Sequence, residues 1–323
     1  MLIDSARELK ARLSARIVGA VGTVSARDLR EGREWVRPAL GLAPVAPGRA
    51  HLAIRVVSDD DARVLLSGLQ DSVLEEVDVR VIGAVRALSG PPPSQLQRRT
   101  RPLHPGLSVA HPTVTAGTLG GFVRIGGRLA MLSNNHVLAA SDAATVGDPV
   151  LQPGPADGGR PDDRVATLTA FERFRADRGN LVDAAVAALD EGITAEPGRF
   201  PGGPLSGEVP PAIEVDPDEA VEKIGRTTGH TLGRVSAVEV DGVAVQYDDV
   251  VHTFDDQIEI DGLTGAFSAG GDSGSVIWRS RDRAPLGLLF AGSEVGGRNG
   301  GGVTFASPLA TVLSVFGAEW IAS

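Results

Sequence analysis

The 323-residue sequence is 42% hydrophobic and 22% charged, a balance typical of a folded globular protein and not of a disordered one. Its formal net charge is −10 and its basic residues are scattered, so a nucleic-acid partner is not expected. Because the chain lacks cysteine, disulfides, thiolate metal sites and a cysteine nucleophile are excluded. No signal-peptide pattern opens the chain and no apolar run suits a membrane helix, so we expect a cytoplasmic protein without a membrane partner.

The first part of the chain is predicted to hold a small α+β unit. Residues 1–17 carry apolar side chains at helical spacing, and residues 51–57 and 77–85 have strand-like patterns. Between these strands, residues 58–69 predict a helix whose first turn contains Asp59 to Asp61. Three aspartates could bind a divalent ion, but carboxylates at a helix N-terminus are the commoner explanation.

A break in the pattern follows at three consecutive prolines, Pro91 to Pro93, and an arginine cluster. Proline disrupts helices and central strands. We therefore place a domain boundary near residue 92, between an N-terminal α+β accessory region (1–92) and a second domain (93–323). The accessory region could pack on the second domain, cover its cleft, inhibit it, bind a partner or form a homo-oligomer.

Beyond the boundary, short apolar segments of strand type alternate with glycine-rich turns. This pattern indicates a mostly β domain, built as an antiparallel barrel or sandwich pair. The segments are GTLGGFVRI, GRLAMLS, VATLTAF, VDAAVAAL, GRVSAVEV, VAVQYDDVV, DQIEI, SVIW, PLGLLFAG and GGVTFASPL. Two tracts rich in proline and glycine, 151–163 and 191–211, are predicted to be surface loops.

Three residues at the ends of predicted strands suit serine hydrolase chemistry. A serine nucleophile needs a base, a carboxylate that orients the base, and backbone N–H groups that stabilise an oxyanion. His136 follows an apolar strand in LSNNHVL, and Asp183 stands among apolar residues in NLVDAAV, where an unpaired carboxylate would be unfavourable. Ser273 lies in GGDSG, where glycines allow a sharp turn that aims the N–H groups of Gly271 and Ser273 together.

The segments SNNHVLA, NLVDAAVAAL and GGDSG, in this order, resemble the chymotrypsin-like (trypsin-like) serine peptidases across roughly residues 117 to 316. The histidine segment is similar to HtrA-type bacterial members, and GRTTGHTLGRV is similar to streptogrisin-type proteases. The tract RPLHPGLSVAHPTVTAGTLGGFVR further resembles bacterial relatives of the plant narrow-leaf trypsin-like protease. The resemblance implies a two-barrel fold and a serine endopeptidase acting on proteins or peptides, without cofactor or metal.

The resemblance also implies roles for individual residues. Ser273 would be the nucleophile, His136 the general base and then acid, and Asp183 the residue that orients His136. Gly271 and Ser273 would supply the oxyanion N–H groups. Asp272 would lock the oxyanion loop through an ion pair with a cation, for which we expect an internal arginine because no well-spaced zymogen cleavage site precedes the domain.

The predicted substrate pocket departs from that of trypsin. Phe267 stands where the resemblance places trypsin's aspartate, so a preference for Lys or Arg is not expected. Ser268 lies beside it, and the opposite wall would contain Phe290, Ala291 and Gly292. These residues predict a shallow apolar pocket for aliphatic side chains and an edge that pairs with an extended peptide.

The sequence also allows several alternatives. His230 and His252 could serve as rival bases, although structural or substrate-lining positions suit them better. His104 and His111 could ligate zinc, but they are two histidines in a proline-broken stretch. The whole chain could also be a catalytically silent module that binds peptides, regulated by its N-terminal region, or an esterase using the same triad.

Overall fold

The computed structural model describes residues 1–18, 37–66, 71–86, 95–247 and 250–323. The N-terminal region contains α1 (Ile3–Val18), β1 (Ala39–Ala46), β2 (Arg49–Val56), α2 (Asp59–Leu66), α3 (Asp71–Leu74), β3 (Val77–Val81) and β4 (Val85–Arg86). Strands β2 and β3 are parallel, with α2 in the connection between them. The prediction of a small α+β unit is confirmed.

The two longer helices of this region follow from their sequences. In α1, Leu9, Leu13 and Ile17 recur at helical spacing and pack against apolar side chains of β1 and β2. In α2, Ser58 caps the helix: its hydroxyl donates to Asp61 Oδ2 at 2.7 Å and accepts the Asp61 N–H at 3.3 Å. The aspartates therefore serve the start of the helix, as the sequence indicates.

Sixteen further strands and two helices follow in chain order. They are β5 (Ser108–Val109), β6 (Gly117–Thr118), β7 (Gly121–Ile125), β8 (Arg128–Ser133), α4 (Asn135–Leu138), β9 (Pro149–Leu151), β10 (Arg164–Phe171), β11 (Ala185–Leu189), β12 (Ala220–Gly225), β13 (Gly229–Asp241), β14 (Val243–Tyr247), β15 (Val250–Phe254), β16 (Gln257–Gly262), β17 (Val276–Arg279), β18 (Pro285–Gly296), β19 (Gly302–Pro308), α5 (Leu309–Phe316) and β20 (Glu319–Ile321). Three short 3₁₀ turns occur at Gln95–Gln97, Pro155–Asp157 and Pro161–Asp163.

These strands form two β units. One is a six-stranded antiparallel sheet in the order β20-β7-β8-β11-β10-β9, with an apolar core of its own. The other is a twelve-stranded sheet that contains β12 to β19 and the four N-terminal strands. The prediction of a mostly β chain with a small N-terminal α+β region is confirmed, and most strands beyond residue 95 are divided between two large sheets, as a two-barrel fold would require. None of the helices within the described residues is long and apolar enough to cross a membrane.

The N-terminal region packs on the second β unit and extends its sheet. Strand β1 pairs antiparallel with β13, and β4 lies between β14 and β18. The boundary predicted near residue 92 lies outside the described residues, and the division into 1–92 and 93–323 stays a prediction.

Candidate active site

His136 and Asp183 meet because their strands pair. His136 lies in α4, directly after β8, and Asp183 lies two residues before β11, which pairs antiparallel with β8. His136 Nδ1 is 2.5 Å from Asp183 Oδ2, and the His136 backbone N–H donates to Asp183 Oδ1 at 3.3 Å. A carboxylate only accepts hydrogen bonds, so the proton of the ring resides on Nδ1 and Nε2 is available as a base.

A third donor, which the sequence reasoning missed, reaches the same carboxylate. Tyr247, at the end of β14, donates its hydroxyl to Asp183 Oδ2 at 2.7 Å, and its ring centroid is 5.3 Å from that of His136. Burial and then the charge of Asp183 raise the pKa of Tyr247 well above its ordinary value, so the hydroxyl stays protonated and donates. Asp183 is fully buried, and these donors compensate its charge.

Ser273 lies in the turn before β17, close to unused backbone donors. Its hydroxyl donates to the carbonyl of Phe290 at 3.4 Å, and the described residues show no hydrogen bond between this hydroxyl and His136. Gly271 and Gly274 have φ values of +89° and +95°, which favour glycine. Within the described parts of the chain, the N–H groups of Gly271 and Ser273 have no acceptor, whereas those of Asp272 and Gly274 are hydrogen-bonded.

Thr118 of β6 holds this turn against the strand that leads to His136. Its N–H donates to the Ser273 carbonyl at 2.8 Å, and its hydroxyl donates to the Gly271 carbonyl at 2.8 Å. Ser133, at the end of β8, in turn donates to the Thr118 carbonyl at 2.7 Å. The turn that carries Ser273 is thus attached to the chain three residues before His136.

Asp272 forms an ion pair with a lysine, so the prediction of an internal arginine as its partner is wrong. Lys223 Nζ lies 3.2 Å from Asp272 Oδ2, and both side chains are fully buried. The carboxylate also accepts the Thr227 N–H at 2.9 Å, the Thr228 hydroxyl at 2.6 Å and the Ala269 N–H at 3.0 Å. The sequence does not indicate the role of Lys223, because the adjacent Glu and Lys of β12 do not show a strand-like apolar pattern.

The environment of Lys223 affects its proton affinity in two opposite ways. Burial lowers its pKa and the charge of Asp272 raises it, with a net pKa below the ordinary lysine value. Nζ also donates to the hydroxyl of Thr228 and, at 3.2 Å, to the carbonyl of Gly229. The lock is therefore a buried ion pair whose hydrogen-bonding groups are satisfied on both sides.

Arg226 forms a second contact with the turn that carries Ser273. It binds Asp157 through two hydrogen bonds, from Nε at 2.8 Å and from Nη2 at 2.5 Å. Its guanidinium covers Gly271, where an added Cβ would lie 2.1 Å from Arg226 Nη1. Asp157 belongs to a tract predicted as a surface loop, yet its side chain is almost buried. A side chain at position 271 is therefore disfavoured both by contact and by φ.

Two of the predicted pocket residues are core residues. The side chains of Phe267 and Phe290 are 1% and 0% exposed and belong to hydrophobic core clusters, so they do not form the surface of a shallow pocket. Burying a large aromatic side chain stabilises the core, which explains the difference. Ser268 is hydrogen-bonded to Thr304 at 2.7 Å, and Ala291 and Gly292 lie buried within β18.

The rival bases have other partners. His230 Nε2 lies 2.6 Å from Glu222 Oε2, on the strand pair β12 and β13. His252 packs against Phe174 with ring centroids 4.8 Å apart, and burial lowers its pKa. Neither ring is hydrogen-bonded to Asp183 or Ser273 within the described residues.

His104 and His111 have separate hydrogen-bond partners and do not form a common zinc site. His104 Nδ1 is 2.9 Å from the Pro105 carbonyl, whereas His111 Nε2 is 3.3 Å from Asp148 Oδ2. No group of three or more His, Cys, Asp or Glu side chains in the described residues could hold a metal ion.

The chain is structurally similar to several bacterial chymotrypsin-like serine proteases, in agreement with the predicted resemblance. Protease A of Thermobifida fusca is 19% identical, with a TM-score of 0.46 over 68% of this chain and 100% of that protein. A serine protease specific for glutamic acid is 20% identical, with a TM-score of 0.49 and the same coverage. A Nocardiopsis protease is 19% identical, with a TM-score of 0.46 over 68% of this chain and 99% of that one.

No family model matches the chain. No curated protein matches its sequence either. The similarity to bacterial HtrA-type, streptogrisin-type and narrow-leaf-type proteases in particular stays a prediction.

Proposed function

We propose that the protein is a serine endopeptidase that hydrolyses peptide bonds through an acyl-enzyme. The observation that carries the proposal is the buried chain of hydrogen bonds from Tyr247 to Asp183 to His136, beside a turn that combines the Ser273 hydroxyl with two unbonded N–H groups. This set contains the base, the orienting carboxylate, the nucleophile and the oxyanion donors that acyl transfer requires.

In this mechanism, rotation of the Ser273 side chain turns its hydroxyl from the Phe290 carbonyl toward His136. His136 Nε2 removes the hydroxyl proton as the oxygen attacks the substrate carbonyl carbon, and Asp183 stabilises the imidazolium without taking the proton. The N–H groups of Gly271 and Ser273 bind the oxyanion. His136 then protonates the leaving amine, and water hydrolyses the acyl-enzyme by the reverse sequence.

The substrates we propose are proteins or peptides, with no preference for Lys or Arg before the scissile bond. The resemblance places trypsin's aspartate at position 267, but this position carries a phenylalanine whose side chain is buried in the core. It therefore supplies no carboxylate to a basic substrate side chain. Location in the cytoplasm also remains a proposal.

A fluorophosphonate probe tests this function, because it reacts only with an activated serine. We expect the wild type to be labelled and the Ser273→Ala and His136→Ala variants to remain unlabelled. A folded wild type that is neither labelled nor able to cleave peptides would reject the peptidase and favour the silent peptide-binding module. Cleavage of esters but not of peptide amides would favour an esterase.

A further inference from the structure

One edge of β18 begins at the nucleophile. β18 pairs with β17 as far as Leu288, and the turn that follows Ser273 continues the contact: the Gly274 N–H donates to the Leu289 carbonyl at 2.8 Å. The Ser273 hydroxyl then reaches the carbonyl of Phe290. Past Phe290, β17 and the turn no longer cover this edge, whereas the opposite edge of β18 pairs with β19.

An extended peptide with its scissile carbonyl at Ser273 would run along the part of this edge that β17 does not cover. Main-chain pairing of a peptide with a sheet edge is a common mode of recognition. Since a strand rises about 3.3 Å per residue, Gly292 lies about 7 Å along the strand from Phe290. Ala291 and Gly292 are therefore the positions at which the residues preceding the scissile bond would pair.

The chain itself already fills this edge. Arg86 of β4 pairs with Gly292 in antiparallel register, and β4 pairs with β14 on its other side. Because β4 runs antiparallel to β18, its C-terminal direction points from Gly292 toward Ser273. This is the direction in which a substrate would have to run to place its scissile carbonyl at the nucleophile.

The attachment of β4 is short but specific. Val85 is buried in the same core cluster as Phe290 and Tyr247, whereas the side chain of Arg86 is exposed. Just before β4, the chain follows β18 closely, since an added Cβ on Gly296 would lie 2.6 Å from Ile82 Cγ2. β4 is two residues long, so fewer main-chain bonds hold it than hold the neighbouring strands.

We propose that β4 is an internal competitor of the substrate. It occupies the β18 edge that an extended peptide needs, and peptide hydrolysis requires β4 to leave this edge. The inference rests on the proposed peptidase function and specifies its regulation: the N-terminal region limits access of peptide main chains, while Ser273 and His136 stay reactive toward small electrophiles.

A reversible tether tests this competition. The chain contains no cysteine, so the double variant Arg86→Cys/Gln246→Cys can form one disulfide, which joins β4 to β14. Paired strands lie about 4.8 Å apart, which suits a disulfide. When oxidised, the variant should hydrolyse fluorogenic tetrapeptide amides at least about tenfold more slowly than when reduced. The disulfide lowers the fraction of molecules in which β4 has left the β18 edge and a peptide can bind. The fluorophosphonate labelling rate of the variant should stay within about twofold, because the probe needs no strand pairing.

The outcomes separate the two proposals. Equal tetrapeptide hydrolysis in both redox states, with the disulfide verified by mass spectrometry, would overturn the competition and leave the peptidase intact. No labelling and no hydrolysis in either state, nor in the wild type, would overturn both. The single variant Arg86→Cys should not respond to the oxidant.

A second variant tests the same point without a disulfide. Val85→Ala removes part of the side chain that anchors β4, so kcat/KM for tetrapeptides should rise several-fold. Val303→Ala removes the same atoms from the same core cluster on β19 and is the matched control. An equal change in both variants would contradict a role for β4.

Discussion

At the residue scale, Asp183 depends on a donor 64 positions away in sequence. The GGDSG turn, the histidine and the isolated aspartate could be predicted, because each stands out against its immediate neighbours. Tyr247 could not, since a tyrosine at the end of an apolar strand carries no sign of its partner. Lys223 was missed for the same reason: only the folded sheet shows that it faces Asp272.

The hydroxyl of Tyr247 should contribute to catalysis by positioning Asp183. In Tyr247→Phe, the carboxylate loses one donor, and a hydrogen bond to a charged group contributes about 1.5–3 kcal/mol, or about 10- to 160-fold in rate. We expect kcat to fall by this factor with little change in KM. Phe174→Leu, which alters packing on the same ring at 5.1 Å, is the control and should change kcat much less. A loss of kcat/KM that comes from a higher KM, with kcat unchanged, would argue against a role of Tyr247 in positioning Asp183.

Gly271 should tolerate no substitution, for reasons of space and of φ. In Gly271→Ala, the methyl group meets Arg226 and must adopt a φ of +89°, so the N–H moves out of the oxyanion site. Loss of one oxyanion donor lowers kcat by about 10²- to 10³-fold. Gly158→Ala has the same φ of +89° but open space around the new Cβ, and its kcat should equal that of the wild type. Comparable losses of kcat in both variants would mean that backbone strain, and not contact with Arg226, causes the loss.

At the element scale, β12 supports the turn that carries Ser273. It pairs with β17, which follows Ser273, and it places Lys223 under the turn. The apolar patterns of the other strands that flank the site predict these strands from the sequence. In β12, Glu222 and Lys223 instead indicate an exposed segment, although pairing with β13 and β17 buries the lysine.

The alkaline limit of activity should report the deprotonation of Lys223. Burial lowers the pKa of Lys223 below 10.5, so rising pH removes its charge earlier than for a free lysine and leaves Asp272 unpaired. We expect kcat/KM to fall as pH rises through this lowered pKa, with the fold retained by circular dichroism.

Two variants isolate this effect. Lys223→Arg keeps a positive charge at alkaline pH, so its alkaline limit should move upward. Lys223→Met should be nearly inactive at every pH, because an unpaired buried Asp272 destabilises the loop. A wild-type limit at or above pH 10.5 would show that Lys223 is not the titrating group.

At the scale of the whole molecule, the two regions along the chain share one sheet and one buried charge network. Arg55 of β2 binds Glu259 of β16 through two hydrogen bonds, at 2.6 and 2.8 Å, and also binds Asp78 of β3 at 2.8 Å. The fold class could be predicted from strand and turn patterns. The joining of the regions could not, because each of these charged residues resembles an exposed one in its local sequence.

Glu259→Gln should therefore destabilise both regions together. Breaking a buried ion pair lowers the free energy of unfolding by about 3–5 kcal/mol. Urea unfolding should therefore show a single transition at a lower urea concentration than in the wild type. Glu208→Gln changes an exposed carboxylate and should alter the unfolding free energy by less than about 0.5 kcal/mol. Separate transitions for the two regions in the wild type would contradict their joint stability.

The effect of Glu259→Gln should also depend on pH in a defined direction. Burial raises the pKa of Glu259, but the charge of Arg55 opposes it, and the net pKa lies below the ordinary value of 4.5. A carboxyl group with a lowered pKa in the folded state stabilises the protein fully above pH 4.5 and loses this contribution as pH falls through the lowered pKa. The difference in unfolding free energy between wild type and variant should thus be constant near neutral pH and shrink on acidification. A difference that grows on acidification would mean that the carboxylate of Glu259 opposes folding, and that Arg55 does not hold β2 and β16 together through its charge.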